Sequence, residues 1–351
     1  MSDRSAPVGL AVIGAGYWGP NLIRNALRCA DVELKIVCDL NIETAQKAVG
    51  RQSNVAVSTD VQQILDDPDV EGVAIATPAS THAELAISCL EAGKHVLIEK
   101  PLASSVAEAE KVLAVAREHG LQVMCDHTYC YTPAVLRLRE LVSSGEIGNI
   151  QYVDSVRINL GIVQPDIDVF WDLAPHDLSI LDFILPPGCE PIAVSAQGAD
   201  PMGVGKPCIG YLTLPLTGGA IAHAHVNWLS PTKIRTTIIG GSRRTVVWDD
   251  LNPTQRLSLY DRGVDVADAT EPDARRKQLI AYRLGDMVAP ALTEVEALTS
   301  VMVEFAAAIR EGRAPLTDGE AGLRILEILE AASSSAAAQG TSVQLTSHRS
   351  Q

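Results

Sequence analysis

Glu99, Lys100 and Pro101 follow directly on Lys94-His-Val-Leu-Ile98, an apolar run that reads as a short buried strand opened by Gly93. A lysine at a strand tip can donate to an oxygen that gathers negative charge, and a neighbouring carboxylate can position it. Pro101 fixes its own φ and biases Lys100 toward extended geometry, so the ammonium sits on a rigid strand end. Further along, Asp172-Leu-Ala-Pro-His176 spaces a carboxylate and an imidazole four apart. Such a pair can fix a tautomer and raise proton affinity, as a general base requires. Taken alone it reads equally as a helix cap beside a satisfied structural histidine. Pro175 suits a helix that starts near it, which places both groups at the helix N-terminal end.

Elements earlier in the chain supply a partner for this chemistry. Val8 to Ile13 reads as a buried strand, Gly14-Ala-Gly-Tyr-Trp-Gly19 as a tight turn, Pro20 to Cys29 as a helix, and Glu33 to Cys38 as a second strand ending at Asp39. This is the context that a G-x-G-x-x-G pattern needs to bind a dinucleotide. Gly14 permits the turn, Gly16 lets backbone approach a pyrophosphate, and Gly19 allows close helix–strand packing. Asp39, 20 residues after Gly19, is placed to accept from a ribose 2′-hydroxyl. A 2′-phosphate would meet that carboxylate with no arginine at Leu40 or Asn41 to offset it, so NAD is expected rather than NADP. Oxidising a secondary alcohol then needs a base, a polarising cation and alignment from the protein, while the hydride goes to nicotinamide.

The alternation continues through strands at Val55–Val57, Gly72–Ala76 and Leu121–Cys125, with helices between. A helix from Thr81, with Glu84 completing a capping box, closes at Gly93; Ser105 and Glu108 cap another, ending at Gly120. Six strands alternating with helices predict a doubly wound parallel sheet, with Gly14, Asp39, Thr77, Glu99 and Asp126 at its ligand-binding carboxyl edge. His82, one residue into the helix from Thr81, reads as a polar first-turn residue on an exposed helix, with contact to the cofactor as the alternative.

The chain has 351 residues, enough for two domains. A net charge of −15 without a basic block argues against nucleic acid, and no apolar run is long enough to span a bilayer. The first residues lack the apolar core of a signal peptide, so a cytoplasmic protein is expected. Seven cysteines, an odd number without a CxxC pair, read as reduced buried thiols.

Gly14-x-Gly-Tyr-Trp-Gly-Pro-Asn21, Thr77-Pro-x-Ser-Thr-His82, Glu91-Ala-Gly-Lys-His-Val-Leu-Ile-Glu-Lys-Pro-Leu-Ala103 and Asp172-Leu-Ala-Pro-His176 together resemble the Gfo/Idh/MocA oxidoreductases. The resemblance runs from Val8 to about Ser335. It implies that Tyr17, Trp18, Thr77, Pro78, His82 and Glu99 join Gly14, Gly16, Gly19, Asp39 and Lys100 around the dinucleotide. It also turns Asp172 and His176 toward catalysis, with His176 as base, Asp172 orienting it or holding a neighbouring hydroxyl, and Lys100 stabilising the alkoxide. In the alternative Lys100 carries the proton and His176 only binds substrate. The Gly-Tyr-Trp-Gly-Pro-Asn form and Trp171-Asp-Leu-x-Pro-His-Asp177 look most like members acting on nucleotide-activated sugars at C3; cyclitol or free-sugar dehydrogenases, and a non-catalytic NAD-binding regulator, are the other readings.

The second half changes pattern. After a helix from Pro133 to Ser144, strands at Ile150–Leu160, Ile192–Gln197, Ile209–Leu214, Ala220–Leu229, Lys233–Ile239, Arg244–Trp248 and Leu257–Tyr260 follow with short turns, predicting a mainly antiparallel, open-faced sheet. The expected architecture is α/β: a Rossmann NAD-binding domain over 1–127, then an α+β substrate and oligomerisation domain over 128–351. A last helix, about 318–338, is expected to pack back near the first domain. The resemblance implies a homodimer or homotetramer through the open sheet face. His127, Tyr129, Arg157, Asn159 and Trp171 are candidate substrate contacts. His223 and His225 share a strand face, but lacking a third ligand they are expected to pack rather than bind metal. Asp261–Arg276 reads as a polar surface excursion. Helices are expected over Glu294–Arg310 and from Thr317 or Asp318 with Glu320 completing a capping box, and Gln339–Gln351 as a frayed tail.

Overall fold

The computed structural model describes residues 6–52, 54–164, 167–266 and 280–345. The chain forms two compact units, Met1–Thr132 with Glu294–Glu330, and Pro133–Thr293 with Ala331–Gln351.

In the first unit six strands, β1 (Val8–Ile13), β2 (Val32–Cys38), β3 (Ala56–Ser58), β4 (Gly72–Ile75), β5 (His95–Glu99) and β6 (Val123–Asp126), form one sheet in the order β3-β2-β1-β4-β5-β6. Every pairing in it is parallel. Buried on both faces, these strands are the near-continuous apolar runs visible in the sequence. Helices α1 (Gly19–Ala26), α2 (Ile42–Val49), α3 (Gln62–Leu65), α4 (His82–Glu91) and α5 (Val106–His119) make the crossovers. Asn41 caps α2 by accepting from the Glu43 and Thr44 N–H groups, and Ser105 caps α5, which ends on left-handed Gly120. The capping box expected at Thr81 does not form. A short 3₁₀ turn, Ala79–Thr81, precedes α4, and the Thr81 hydroxyl turns back to Thr77 Oγ1 and the Pro78 carbonyl.

The first unit extends past the expected boundary at 127. Tyr131 is 2% exposed and its hydroxyl pairs with Thr317 Oγ1 at 2.9 Å, which ties residues 128–132 to this unit. Chain returning from residue 294 joins it. Gly72 leaves room for the Phe305 ring; a Cβ there would lie 2.8 Å from it. Asp318, not Thr317, caps the following helix, accepting from Ala321 N–H at 2.8 Å, because the Thr317 hydroxyl donates to the Cys125 carbonyl. The expected Thr317–Glu320 box is therefore replaced.

The second unit begins with α6 (Pro133–Ser143), β7 (Ile150–Leu160) and α7 (Val169–Ile184), followed by β8 (Ala193–Ala199), β9 (Ile209–Pro215), β10 (Ile221–Asn227), β11 (Leu229–Gly241), β12 (Thr245–Asp249), β13 (Leu257–Tyr260), β14 (Gly263–Val266), β15 (Ile280–Arg283) and β16 (Met287–Val288). The last helices are α8 (Ala297–Glu311), in the first unit, and α9 (Gly319–Ala337), which passes from the first unit into the second; β17 (Val343–Gln344) ends the described chain. Nine strands form a sheet in the order β16-β13-β12-β11-β7-β10-β9-β8-β17. It is mainly antiparallel, with a parallel β7–β10 pair at its centre. Gly210 admits Phe170 of α7 against the sheet, where a Cβ would lie 2.4 Å from the ring. The expected frayed tail is corrected in part: Val343 and Gln344 pair with Val194 and Ala193. Of the polar stretch Asp261–Arg276, residues 263–266 form β14, paired with β15, and 267–276 lie outside the described residues.

On the open sheet face Tyr211 stacks on His225, ring centroids 4.4 Å apart, and beside His223. Among the described residues no cluster of three metal-ligating side chains occurs, and no helix is long and apolar enough to cross a membrane. Six of the seven cysteines are buried and Cys189 is half-buried.

Candidate active site

The carboxyl ends of β1 and β4 lie side by side where the strand order reverses, which opens a crevice at the glycine turn. Gly14 has φ +96°, and a Cβ on it would fall 2.6 Å from the Ala76 carbonyl oxygen. A Cβ on Gly19 would fall 2.1 Å from the Gly14 carbonyl oxygen, so its absence lets α1 start against the strand. Gly16 faces open space, with nothing within 4 Å of where a Cβ would stand. The N-terminus of α1 carries no side-chain cap, Pro20 has no N–H and Asn21 N–H donates to the Trp18 carbonyl, so the positive end of the helix faces the turn without a side chain of its own on it. A dinucleotide pyrophosphate fits this cradle in charge and shape. Tyr17, 93% exposed, projects from the turn. Asp39 does more than end β2: its Oδ2 accepts from Ala15 N–H at 2.7 Å and its Oδ1 from Asn41 N–H at 2.8 Å. The acid that would meet the ribose thus also shapes the glycine turn, and each oxygen keeps a further lone pair.

Thr77 and Pro78 continue β4 on the same rim. His82 corrects the expectation of an exposed first-turn residue. It is 1% exposed, with Nδ1 2.8 Å from the Pro101 carbonyl and Nε2 2.9 Å from the Thr77 carbonyl. Burial lowers its pKa and the two carbonyls raise it. Both ring nitrogens face backbone carbonyls, and the single N–H of the neutral ring can serve one of them, so His82 packs between the Lys100–Pro101 and Thr77–Pro78 turns and points neither nitrogen at a cofactor. The Lys100–Pro101 bond in that turn is cis.

Glu99 and Asp126 end β5 and β6 as direct neighbours across the sheet. Burial, then the Asp126 charge, holds the Glu99 carboxyl well above the usual range, while Lys100 pulls it down. Burial also raises Asp126, opposed first by the Thr128 hydroxyl, which donates to Oδ1 at 2.9 Å. The Trp18 indole N–H lies near the same carboxyl without reaching hydrogen-bond geometry. His127 is buried and Tyr129 half-buried in the turn that follows.

In the second unit α7 starts six residues before Pro175, so the expected helix start near Pro175 is corrected. Asp168 caps it, accepting from the Phe170 and Trp171 N–H groups. Asp172 and His176 occupy successive turns on one helix face, as four-residue spacing requires. Asp172 Oδ2 accepts from the buried Trp228 indole at 2.8 Å, a support that no local sequence signal marks. Arg157 and Trp171 also differ from expectation. Arg157 is 2% exposed and pairs through Nε with Asp177 Oδ2 at 2.7 Å, while Ser155 Oγ donates to Asp177 Oδ1 at 2.7 Å. Trp171 donates its indole N–H to Ser333 Oγ at 3.0 Å. Both contacts hold α7 in place; Arg157 is buried in doing so, while Trp171 stays half-buried. Asn159, half-buried, follows Arg157 on the same strand face.

A six-stranded parallel sheet with this glycine turn, together in one chain with a second unit built on a large mixed sheet, defines a two-part dinucleotide-dependent oxidoreductase. Residues 8–127 match the model of the Gfo/Idh/MocA oxidoreductase family with its NAD-binding Rossmann fold, and residues 135–247 match the C-terminal domain of that family. The chain is 30% identical over 319 residues to the UDP-N-acetylglucosamine 3-dehydrogenase of Acidithiobacillus ferrooxidans, covering 90% of this chain and 93% of that one. A solved structure of that enzyme superposes with a TM-score of 0.78 at 26% identity, covering 94% of this chain and 98% of the other. An oxidoreductase of Bacillus subtilis, YrbE, is 26% identical over 272 residues, 74% of each chain. The protein belongs to the Gfo/Idh/MocA family and is an NAD-binding oxidoreductase.

Proposed function

We propose that this enzyme moves a hydride between NAD and a ring secondary alcohol or ketone of a nucleotide-activated sugar, at C3. The observation that carries the substrate class is the near end-to-end similarity to UDP-N-acetylglucosamine 3-dehydrogenase. Gly14, Gly16, Gly19 and the α1 N-terminus would hold the pyrophosphate, Asp39 the adenosine ribose, and Thr77, Pro78 and Glu99 the nicotinamide end. NAD, when bound, accepts the hydride from the carbinol carbon. Lys100 donates a hydrogen bond to the reacting oxygen and stabilises it as negative charge develops. His176 takes the hydroxyl proton and returns it in the reverse direction, and Asp172, steadied by Trp228, orients His176 or a neighbouring hydroxyl. Asp39 favours NAD over NADP, because a 2′-phosphate would meet a carboxylate already turned toward the glycine turn. The open sheet face, where Tyr211 and Ile221 are exposed, is our assignment for homodimer or homotetramer contact, to be counted by sedimentation.

The test is formation of NADH from NAD across UDP-sugars, free sugars and inositols. A UDP-hexose is expected to give the highest kcat/KM, and thermal stabilisation is expected with NAD and not with NADP. Turnover confined to cyclitols or free sugars would overturn the substrate class, and stabilisation by NADP alone the cofactor. His176→Asn is expected to lower kcat by about 10²–10⁴ and remove the acidic limb, the fall in rate at low pH, from the pH–rate profile of alcohol oxidation. An unchanged profile would move the proton to Lys100.

A further inference from the structure

We propose that Glu99 and Asp126 share one proton, so that the pair presents Lys100 with a single negative charge. They are the last residues of adjacent parallel strands, in register. Neighbouring strands lie about 4.8 Å apart, and side chains in register project from the same face. Two carboxylates at that spacing, away from water, cannot both ionise. Glu99 Oε2 and Asp126 Oδ2 are each shielded and receive no hydrogen bond from an N–H or hydroxyl group. A proton held between the two carboxyls satisfies both atoms at once.

The surrounding groups decide where the proton rests. Lys100 faces the pair from the end of β5, Thr128 from the turn after β6, Cys125 from β6 itself with Cys130 beside it, and Trp18 from the glycine turn. Asp126 has the Thr128 hydroxyl at 2.9 Å and Trp18 nearby, whereas Glu99 has the Lys100 backbone N–H alone and Asp126 to donate to. The proton therefore sits on Glu99 and the charge on Asp126. The Cys125 thiol, pushed up by burial and then by both carboxyls, stays protonated and adds no charge. One ammonium against one negative charge leaves the strand ends neutral. The Lys100 ammonium thus faces one counter-charge where the proposed reaction needs a donor; only that catalytic consequence rests on the proposed function.

The proton count is read on the full chain without sugar, so it stands or falls apart from turnover. Infrared difference spectra at neutral pH are expected to show a protonated-carboxyl band in the wild-type protein, absent from both Glu99→Gln and Asp126→Asn. In either single variant the remaining carboxyl ionises and the local charge is unchanged. Labelling of the Lys100 amine, followed by mass spectrometry, should therefore stay within about twofold of wild type, since a one-unit pKa change would alter it tenfold. The double variant loses the charge, and its labelling should rise about tenfold or more. Stability gives a further reading. Because the folded-state pKa of Glu99 is raised, its contribution is complete below the unfolded value and is lost as pH climbs toward the folded one. Glu99→Gln, which does not titrate, should gain on wild type with rising pH across that window. Absence of the carboxyl band, or a tenfold labelling rise in each single variant, would show two independent carboxylates and overturn the proposal.

Discussion

Replacing Lys100 with methionine is expected to lower kcat on the sugar substrate by about 10²–10⁴ while leaving NAD affinity within a few-fold. Methionine keeps much of the apolar stem and removes the ammonium, so packing at the strand end is largely retained. The donor lost is one that matters most when the substrate oxygen carries charge, and such a loss appears in kcat rather than in ground-state binding. Cofactor affinity should survive because the pyrophosphate cradle depends on Gly14, Gly16, Gly19 and the uncapped start of α1. Steady-state kinetics with a fluorescence titration of NADH checks both halves. A fall in NADH affinity as large as the fall in kcat would mean that Lys100 serves the cofactor and not the reacting oxygen.

Asp177→Ala is expected to destabilise the second unit by about 3–5 kcal/mol, the range for breaking a buried ion pair from one side. Arg157 and Asp177 have side chains only 3% and 4% exposed, joined at 2.7 Å, so solvent screening is weak. The substitution takes the carboxylate from a buried guanidinium and the acceptor from the Ser155 hydroxyl. Thermal unfolding should shift down by roughly 6–20 °C for a unit of this size. An Arg157→Met, Asp177→Leu double variant should recover most of that loss, since apolar replacement of both partners removes the desolvation cost together with the attraction. Its kcat should nevertheless fall below wild type, because α7 carries Asp172 and His176 next to Asp177. Recovery of stability and full activity together would show that the ion pair has no part in placing α7.

Trp228 and Asp172 illustrate what was beyond local reading. They are 56 residues apart, and their 2.8 Å hydrogen bond depends on how α7 lies against the end of β10. Arg157 was legible as a strand residue, and its alternation with Asn159 placed both on one face. Which face met α7 was not legible, since strand alternation assigns two faces without naming what covers either. His82 misled for a related reason: a polar residue at a helix start ordinarily faces solvent. Here the Thr77 and Pro101 carbonyls enclose the ring from two other segments.

Asp126 was placed at the ligand rim because it ends an apolar strand, as Glu99 does, but its partnership comes from the order β4-β5-β6 and a register in which the two meet. By itself the sequence determined the alternating first half, the glycine turn with Asp39 at the end of β2, Lys100 on its strand tip and the four-residue spacing of Asp172 and His176. These are short-range properties, set by backbone geometry and side-chain periodicity within one or two elements. Only the tertiary structure decided that two carboxyls meet beside Lys100, that His82 is buried between two turns, and that Arg157 and Trp171 anchor α7. Each depends on the register and facing of elements distant in sequence, which residue patterns within a single element do not encode.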